Sequence, residues 1–474
     1  MNPKERADGK PSAFDMQRLT AGDTIEGVIS DFGMNGEGVL KVGAYPVFVP
    51  FAIVGEKVRA KVNYAKKDCA FADLIEVLTP SNSRVKPRCP YFGRCGGCDL
   101  QHIEPALQEE IKREQLIRVM KKNAGLDVVP DEVVSGGMWG YRNKLALPFG
   151  RMGRQGKVVL GFYEKRSHRV VPMRFCPLHG RWAEELIADV SEWANENDVS
   201  VYDEKTGKGL LRHLVARELG SLSVTLSVNG ESVPRLSNLV KKLDRHFSGY
   251  TVWLSPQTEK NNVILGGSVK LVHGKESAAQ LGAFRAVVSP LSFLQVNDEI
   301  REKLYAAACE AVGDADAVTE LYSGVGLLTA DIALRLPRAK ITSVEIVEDA
   351  ARDARRLMDR LGLSDRVTVV TADAAEHMRS AFGRERADAV LVDPPRKGCS
   401  PEVIDAVVAS GCRRLVYISC NPATLSRDIA LLMKGGFGLV RLTPFDMFPE
   451  TMNLETLAVL ERVRVAGGAE GEEK

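Results

Sequence analysis

The 474-residue sequence contains no long hydrophobic run. None of its apolar stretches approaches the roughly 20 residues that a helix needs to cross a bilayer. Its first ten residues, MNPKERADGK, are polar and do not form the apolar core of a secretory signal peptide. These absences argue against a membrane protein, and we expect a cytoplasmic protein with no membrane partner.

A strong charge of one sign is also missing, because 64 basic and 62 acidic residues leave a formal net charge of +2. The charge of the whole chain therefore identifies no partner. Its hydrophobic content of 45% and charged content of 27% are typical of a globular protein. A chain of this length is too long for one ordinary core, so we expect two or three domains.

The basic residues are unevenly distributed along the chain. Between Gly140 and Arg181 the sequence has ten of them and a single acid, Glu164. Such a density predicts a surface that binds a polyanion, although a solvated basic face explains the same pattern. The ten residues are Arg142, Lys144, Arg151, Arg154, Lys157, Lys165, Arg166, Arg169, Arg174 and Arg181.

The nine cysteines are odd in number and clustered, which in a cytoplasmic chain favours metal binding or catalysis over disulfides. Cys89, Cys95 and Cys98 form the pattern C-x5-C-x2-C, and Cys176, followed by a proline, comes later. Three close thiols and a distant fourth suit a four-thiolate site, and the spacing leaves zinc and an iron–sulfur cluster equally open. The cysteines that fit no motif, which we interpret as packing residues, are Cys69, Cys309, Cys399 and Cys412.

The pattern of apolar residues divides the chain into three predicted domains. Residues 19–80 contain five short strands punctuated by glycines, which suit an OB-like barrel of the kind that binds nucleic acids. Residues 83–287 mix strands with helices, including a predicted helix at 104–124, in an α+β domain. Residues 288–465 alternate strands and helices, and their apolar strands predict a parallel, Rossmann-like α/β sheet covered on both faces. The polar tail GGAEGEEK is expected to be disordered.

Polar residues follow four consecutive strands of this last domain. The first strand leads into a turn with Gly324 and Gly326, which lets a ligand approach the backbone. The next three strands end at Glu345, Asp373 and Asp393. A glycine turn can simply connect packed elements, and one such acid can cap a helix, but four aligned positions favour a cofactor. Glu345 suits ribose hydroxyls and Asp373 suits an adenine amino group, so we predict S-adenosylmethionine binding.

The fifth strand leads to a candidate nucleophile. Cys420 follows that strand and precedes a predicted helix, whose N-terminal dipole would favour a thiolate. A single cysteine after a strand is more often a core residue, but this one is predicted to lie beside Asp393 and the glycine turn. A nucleophilic thiol beside a methyl donor suits methylation at C5 of uracil. That carbon becomes nucleophilic after a thiolate adds to C6, and a base must then remove the C5 proton. Glu450 and Glu455 are both candidates for that base, and the pattern does not choose between them.

These motifs resemble those of the RNA uracil-C5 methyltransferases. SCNPATLSRD is similar to the nucleophile motif of that family, which implies that Cys420 is the attacking thiol. FPETMNLE resembles the closing motif FPxTxxxE, which implies that Glu455 is the base. FLQVN resembles the segment that opens the catalytic domain, which places Gln295 beside cofactor and substrate and Phe293 near the target base. LYSGVG and DPPRKG match the cofactor motifs, so the resemblance adds Tyr322 to the cofactor residues.

The resemblance extends to the amino-terminal half. Residues 20–78 are similar to the TRAM domain, an OB-like module that binds RNA. The cysteine spacing matches the branch of the family that acts on 23S ribosomal RNA (the RumA/RlmD type), which implies that the four clustered cysteines hold a 4Fe–4S cluster. We therefore expect a monomer that makes 5-methyluridine in 23S ribosomal RNA, with transfer RNA as the second candidate, and we choose Arg142 and Lys144 as RNA-binding residues.

The chain departs from the family pattern at three positions, and other interpretations exist. Members often have His where Glu450 and Asn453 stand and Cys where Ser323 stands, and the first two positions lie close to the implied base. An amino-group methyltransferase, which also uses an [ND]-P-P motif, would need no nucleophilic cysteine. A radical enzyme typically has C-x3-C-x2-C instead. A non-catalytic ribosome-assembly factor is opposed by the intact Cys420 and Glu455.

Overall fold

A computed structural model of the chain describes residues 19–381 and 387–463. The segments MNPKERADGK and GGAEGEEK lie outside the described residues. The described chain up to Lys86, together with His102–Glu104, forms one compact unit, and the remaining described residues form a second. No helix in the described ranges is long and apolar enough to cross a bilayer.

The first unit is a closed five-stranded barrel, as predicted. Its strands are Thr24–Phe32 (β1), Gly38–Val42 (β2), Tyr45–Val49 (β3), Lys57–Ala65 (β4) and Ala70–Thr79 (β5). They follow the order β1-β2-β3-β5-β4, in which β3 and β5 are parallel. Successive side chains of a strand point to opposite faces, and the inward-facing Val47, Val58 and Ala60 are fully buried.

A six-stranded sheet forms the first part of the second unit. Its strands are Lys144–Met152 (β6), Lys157–Leu160 (β7), Leu211–Glu218 (β8), Leu222–Val228 (β9), Thr251–Pro256 (β10) and Lys270–His273 (β11). They follow the order β11-β10-β9-β8-β6-β7, with β9 and β10 in parallel.

Three helices lie in the same stretch of the sequence as this sheet, and they are Pro105–Ala124 (α1), Arg181–Glu196 (α2) and Leu236–Leu243 (α3). The apolar faces of α2 and α3, including the fully buried Trp193, share one core with the sheet. α1 confirms the helix predicted at 104–124. A small hairpin, Ala279–Leu281 (β12) and Phe284–Ala286 (β13), follows.

A seven-stranded sheet forms the second part of this unit. The sequence predicted five of its strands, and these are parallel: Ala317–Leu321 (β14), Lys340–Glu345 (β15), Val367–Thr371 (β16), Ala389–Val392 (β17) and Arg414–Ser419 (β18). It did not predict the other two, Phe437–Phe445 (β19) and Glu455–Arg462 (β20). The order is β16-β15-β14-β17-β18-β20-β19, and β20 is antiparallel to both neighbours. The sheet is therefore mixed rather than wholly parallel.

Helices cover both faces of this sheet, as a buried parallel sheet requires. They are Asp298–Val312 (α4), Leu327–Arg335 (α5), Glu348–Leu361 (α6), Ala374–Ala381 (α7), Pro401–Ala409 (α8) and Pro422–Lys434 (α9). Leu391 belongs to the apolar cluster that contains α4, α5 and α6. Its neighbours Val390 and Val392 belong to the cluster that contains α7, α8 and α9. The carboxyl edge of the strands is thus the open side where a ligand can bind.

Candidate active site

The glycine turn after β14 has the backbone conformation that a close ligand approach requires. Tyr322, Gly324 and Gly326 all have positive φ, at 64°, 57° and 76°. A Cβ on Gly326 would lie 3.0 Å from the Cβ of Ala354 on α6, so glycine at this position lets the turn pack against that helix. No side chain caps α5, which begins directly after Gly326.

Two of the predicted cofactor acids accept hydrogen bonds from backbone amides. The carboxylate of Glu345 accepts from the amides of Gly324 and Val347 at 2.9 and 2.8 Å, so it ties the glycine turn to the end of β15. Asp373 Oδ1 accepts from two amides in the first turn of α7, at 2.9 and 3.1 Å. Asp373 therefore caps α7, which is the alternative role that the sequence analysis considered for such an acid.

Ile346 and Val347 are site residues that the sequence analysis missed. They follow Glu345 at the sheet edge and leave 61% and 55% of their surface exposed. The sequence feature that could have identified them is a pair of apolar residues directly after a strand that ends in an acid. An exposed apolar surface beside a carboxylate suits the flat face of a nucleoside, because polar groups then fix its orientation.

The antiparallel pairing of β18 and β20 brings Cys420 close to Glu455. Ser419, the last residue of β18, pairs with Thr456, so Cys420 directly follows one residue of this pair and Glu455 directly precedes the other. The carboxyl group of Glu455 raises the pKa of Cys420, as a neighbouring carboxyl group does. A thiol and a carboxyl group therefore meet at the carboxyl edge, beside the end of β17.

Burial dominates the protonation of these groups. It raises the pKa of Cys420 to about 11, an effect that Glu455 increases and Arg396 opposes. It raises the pKa of Asp393 to about 7 and that of Glu455 well above its usual range. Burial thus moves the pKa of Cys420 in the direction opposite to the one that the N-terminus of α9 was predicted to favour.

Arg396 is a second site residue that the sequence analysis did not assign. It lowers the pKa of both Cys420 and Glu455, so its guanidinium lies near both. The side chain of Asn421, which also caps α9, donates a hydrogen bond to the Arg396 carbonyl oxygen at 3.0 Å. This bond joins the loop after β17 to the loop that holds the thiol. In the sequence this residue is the arginine of the motif DPPRKG, which could have identified it as a site residue.

Gln295 and Phe293, predicted to flank cofactor and substrate, differ in exposure. Gln295 is 3% exposed and hydrogen-bonds the carboxyl group of Glu455, whose pKa it lowers. The second oxygen of that carboxyl group, Oε2, has no hydrogen-bond partner in the described residues. Phe293 is 67% exposed, so its ring is available to a ligand.

The other candidate base, Glu450, has different neighbours. It is 3% exposed, and its Oε2 accepts a hydrogen bond from Gln108 Nε2 at 3.3 Å. Burial raises its pKa to about 7, while Gln108 and Lys112 lower it.

The other two positions that depart from the family pattern are Asn453 and Ser323. Asn453 is exposed and hydrogen-bonds Thr451 within the same loop. The buried hydroxyl of Ser323 has no partner in the described part of the chain.

The four cysteines predicted as metal ligands line one cavity of about 40 Å³, together with Tyr91, Phe162 and Met173. Burial raises the pKa of Cys176 to about 11, with smaller contributions from Cys89 and Cys95, so these thiols lie close together. In residues 19–381 and 387–463, no group of three or more His, Cys, Asp or Glu side chains is already arranged to hold a metal ion. The structure thus groups the thiols without showing a metal site.

Sequence comparisons identify the family. Residues 284–463 match the family model described as tRNA (Uracil-5-)-methyltransferase. The chain is 34% identical to an uncharacterized RNA methyltransferase of Staphylococcus epidermidis, over 94% of this chain and 99% of that protein. It is 35% identical to one of Halalkalibacterium halodurans, over 93% and 97%. The chain belongs to the RNA uracil-C5 methyltransferase family.

A solved structure agrees with this assignment. The methyltransferase superposes on the tRNA (uracil-54, C5)-methyltransferase of Pyrococcus abyssi in complex with S-adenosyl-L-homocysteine, with a TM-score of 0.73 and 27% identity over 92% of this chain and 100% of that one. The predicted family and enzyme class are therefore confirmed. The protein is an S-adenosylmethionine-dependent RNA (uracil-5-)-methyltransferase, and RNA is its kind of partner.

The two basic residues chosen for RNA binding lie in different surroundings in this methyltransferase. The Arg142 guanidinium lies 6.0 Å from the ring centroid of Phe448, and its buried Nε has no hydrogen-bond partner among the described residues. Lys144 is partly buried, and burial and then Arg217 lower its pKa to about 8. Arg142 is therefore the better placed of the two to bind an anion near the loop that carries Glu455.

Proposed function

We propose that this methyltransferase makes 5-methyluridine in 23S ribosomal RNA through a covalent adduct with Cys420, and that Glu455 is the base that resolves the adduct. The proximity of Cys420 to Glu455, next to the last residue pair of β18 and β20, carries this proposal. The reaction needs a nucleophile at C6 of the uracil ring and a base at the adjacent C5. A thiol and a carboxyl group that lie close together at the cofactor edge meet that need.

Cys420 acts in its thiolate form. Its sulfur bonds to C6 of uracil, and the electrons of the C5=C6 bond move towards C5 and O4, which makes C5 nucleophilic. S-Adenosylmethionine, when bound, supplies the electrophilic methyl group that C5 takes up. Glu455 then removes the C5 proton, the C5=C6 bond forms again, and the C6–S bond breaks to release the thiolate. The raised pKa of Glu455 supports this role, because it makes the carboxylate a stronger base.

The cofactor would bind at the glycine turn and the neighbouring strand ends. The positive φ angles of the turn and the apolar pair Ile346 and Val347 suit a nucleoside there. Gln295, hydrogen-bonded to Glu455, would hold the base beside cofactor and substrate. The residues we assign to the cofactor are Gln295, Tyr322, Gly324, Gly326, Glu345, Asp373 and Asp393.

The target uridine must leave its base stack to reach Cys420, at a cost of a few kcal/mol. Phe293, which is largely exposed, would stack on the extruded uracil. Arg142 would bind a phosphate beside Phe448. We also retain Lys144 as an RNA contact, with a weaker contribution because it is partly buried.

We assign RNA binding to the barrel as well, as a TRAM domain. Phe48 and Phe71 stack with ring centroids 5.4 Å apart. Lys66 Nζ lies 5.8 Å from the Phe71 ring and 5.9 Å from the Tyr64 ring. Aromatic rings beside a lysine are the combination that binds unpaired nucleotides without strict sequence preference.

The thiol cavity suits a 4Fe–4S cluster held by Cys89, Cys95, Cys98 and Cys176. The four thiols line one apolar cavity, which is the donor set such a cluster requires. A single zinc ion needs its thiolates about 2.3 Å from one point, whereas a cluster spreads its ligands over several iron atoms. The methyl transfer requires no electron transfer, so we assign the cluster a structural role.

Transfer RNA is the second candidate substrate. The structural similarity to a tRNA (uracil-54, C5)-methyltransferase favours it. The cysteine pattern and the barrel favour 23S ribosomal RNA through their resemblance to that branch of the family. The enzyme is proposed to act as a cytoplasmic monomer.

The deciding experiment offers both RNAs to the purified holoenzyme. Unmodified 23S transcript and unmodified transfer RNA are incubated in parallel with S-adenosylmethionine, and nucleosides are quantified by mass spectrometry. We expect 5-methyluridine in the 23S sample and none in the transfer RNA. Product in transfer RNA alone would overturn the substrate assignment and keep the reaction. Cys420→Ala serves as the inactive control, and activity in that variant would refute the covalent mechanism.

A further inference from the structure

Two segments that are distant in the sequence meet beside the active site. We call residues 89–101 the thiol segment, because they contain three of the four clustered cysteines. We call residues 446–455 the base loop, because they end at Glu455. Both lie in the same compact unit, and their contacts are made almost entirely by buried groups.

The backbone of Glu450 forms the direct link between them. Its carbonyl oxygen accepts hydrogen bonds from the amides of Asp99 and Leu100, at 2.9 and 3.0 Å. Glu450 has a φ of 70°, which non-glycine residues adopt at some energetic cost. The fold therefore holds a strained residue where its carbonyl meets the end of the thiol segment, directly after Cys98.

The side chain of Gln108 on α1 reinforces this link from a third element. Its Nε2 donates to the Leu100 carbonyl oxygen at 3.2 Å and to Glu450 Oε2 at 3.3 Å. Its Oε1 accepts from the Glu450 amide at 3.2 Å. Gln108 is 1% exposed, so breaking these bonds would leave buried polar groups unpaired. One amide side chain thus contacts both the thiol segment and the base loop.

A buried ion pair fixes the start of the base loop on the same helix. Lys112 Nζ lies 2.6 Å from Asp446 Oδ1, with side chains 0% and 2% exposed. It also donates to the Phe448 carbonyl oxygen at 3.3 Å. Gln108 and Lys112 are one helical turn apart on α1, so this helix presents both contacts on one face. The base loop is held at two points between its start and Glu455.

We propose that Gln108 is a positioning residue that couples the thiol segment to the base loop, so that order in the thiol segment holds Glu455 in place. The proposal rests on the proposed role of Glu455. It gives the thiol segment a part in the reaction that requires no electron transfer. Because coupling between two segments is reciprocal, loosening the base loop must also loosen the thiol segment.

The test compares three variants of the full-length holoenzyme by hydrogen exchange and mass spectrometry. Gln108→Leu keeps the approximate shape of the side chain and removes the three hydrogen bonds described above. Glu450→Gln keeps a hydrogen-bond partner for Gln108, so its hydrogen exchange in these two segments should match that of the wild type. Val119→Ala removes buried packing from the same helix and serves as the control for general destabilisation.

In Gln108→Leu we expect peptides from both the base loop and residues 99–101 to exchange about tenfold faster, the effect of losing one to two hydrogen bonds locally. Val119→Ala should leave the ratio of these peptides to the rest of the chain unchanged. Faster exchange in only one of the two segments would overturn the coupling. So would an equal acceleration in Val119→Ala.

Turnover provides an independent measurement. If Gln108→Leu displaces Glu455, kcat should fall about tenfold while the KM for S-adenosylmethionine stays unchanged, and an RNA–protein adduct should accumulate on denaturing gels. A raised KM with no adduct would refute the positioning role. If Glu455→Gln also gives no adduct, the proposed mechanism fails, and the exchange data still decide whether the two segments are coupled.

Discussion

The active-site edge of the sheet has a cofactor half, which follows β15 and β16, and a catalytic half around Cys420 and Glu455. The carboxyl groups of the two halves differ in their hydrogen bonds. In the cofactor half, Glu345 and Asp373 accept hydrogen bonds from backbone amides at 2.8 to 3.1 Å. In the catalytic half, Glu455 is 2% exposed and its Oε2 lacks a partner in the described residues. Burial raises the pKa of Glu455 well above its usual range.

Cofactor binding and the chemical step therefore use different groups along one sheet edge. The acids of the cofactor half have partners within the protein, so their orientation is set before a ligand arrives. The catalytic half holds groups whose charged forms are poorly solvated, and such groups are the ones that exchange protons readily with a substrate. The two strands added after β18 create the contrast, because β20 buries Glu455 beside Cys420.

Removing the nucleophile should have the largest effect on the catalytic half. We expect Cys420→Ala to lower 5-methyluridine formation by about 10⁴-fold or more, since no other group replaces a covalent nucleophile. Formation of 5-methyluridine in a single turnover measures this loss. Cys69→Ala, in the barrel, is the matched control and should keep full activity. An active Cys420→Ala enzyme would mean that the thiol is only a packing residue.

Removing the charge of the base should have the next largest effect. Glu455→Gln should lower turnover by about 10³-fold, because the C5 proton then has no acceptor of comparable strength. The methylated adduct should accumulate and be visible as a shifted band on a denaturing gel. Glu461→Gln, further along β20, should leave turnover unchanged. If Glu455→Gln turns over normally while Glu450→Gln does not, the base has been assigned to the wrong residue.

Arg396 should have an intermediate effect that appears in the pH dependence. Its guanidinium lowers the pKa of both Cys420 and Glu455, so Arg396→Ala should raise both. Below a pKa of about 11, the thiolate fraction of Cys420 increases with pH. The variant should therefore be about tenfold slower at pH 8, with its rate profile displaced to higher pH.

Single-turnover rates between pH 7 and 10 would measure this displacement. Lys397→Ala removes a neighbouring exposed charge and should not move the profile. A uniform loss of rate with no displacement would show that Arg396 binds RNA rather than tuning these two groups.

The sequence predicted the parts of this site that depend on local patterns. The five parallel strands are near-continuous apolar runs, and their ends place Glu345, Asp373 and Asp393 along one edge. The four cysteines were grouped by spacing alone, and they line a single cavity. For each of the three acids a short stretch of sequence was sufficient, because parallel strands in such a fold all end at the same edge.

The parts that were missed depend on contacts between distant segments. The pairing of β20 with β18 brings Glu455 close to Cys420, but the periodicity of β20 does not reveal which strand it pairs with. The pKa of Cys420 was predicted in the wrong direction, because the helix dipole is visible in the sequence and the burial is not. The hydrogen bonds between Glu450 and the thiol segment join residues that lie near opposite ends of the sequence of the second unit.

Glu345 should show the smallest effect, and one confined to cofactor binding. Because its carboxylate already holds the amides of Gly324 and Val347, Glu345→Gln weakens a preformed site without touching the reacting groups. We expect about tenfold weaker binding of S-adenosylhomocysteine by calorimetry, with kcat restored at saturating S-adenosylmethionine. Glu348→Gln, exposed on α6, is the control. A lower kcat at saturation would show that the two halves of the edge do not act separately.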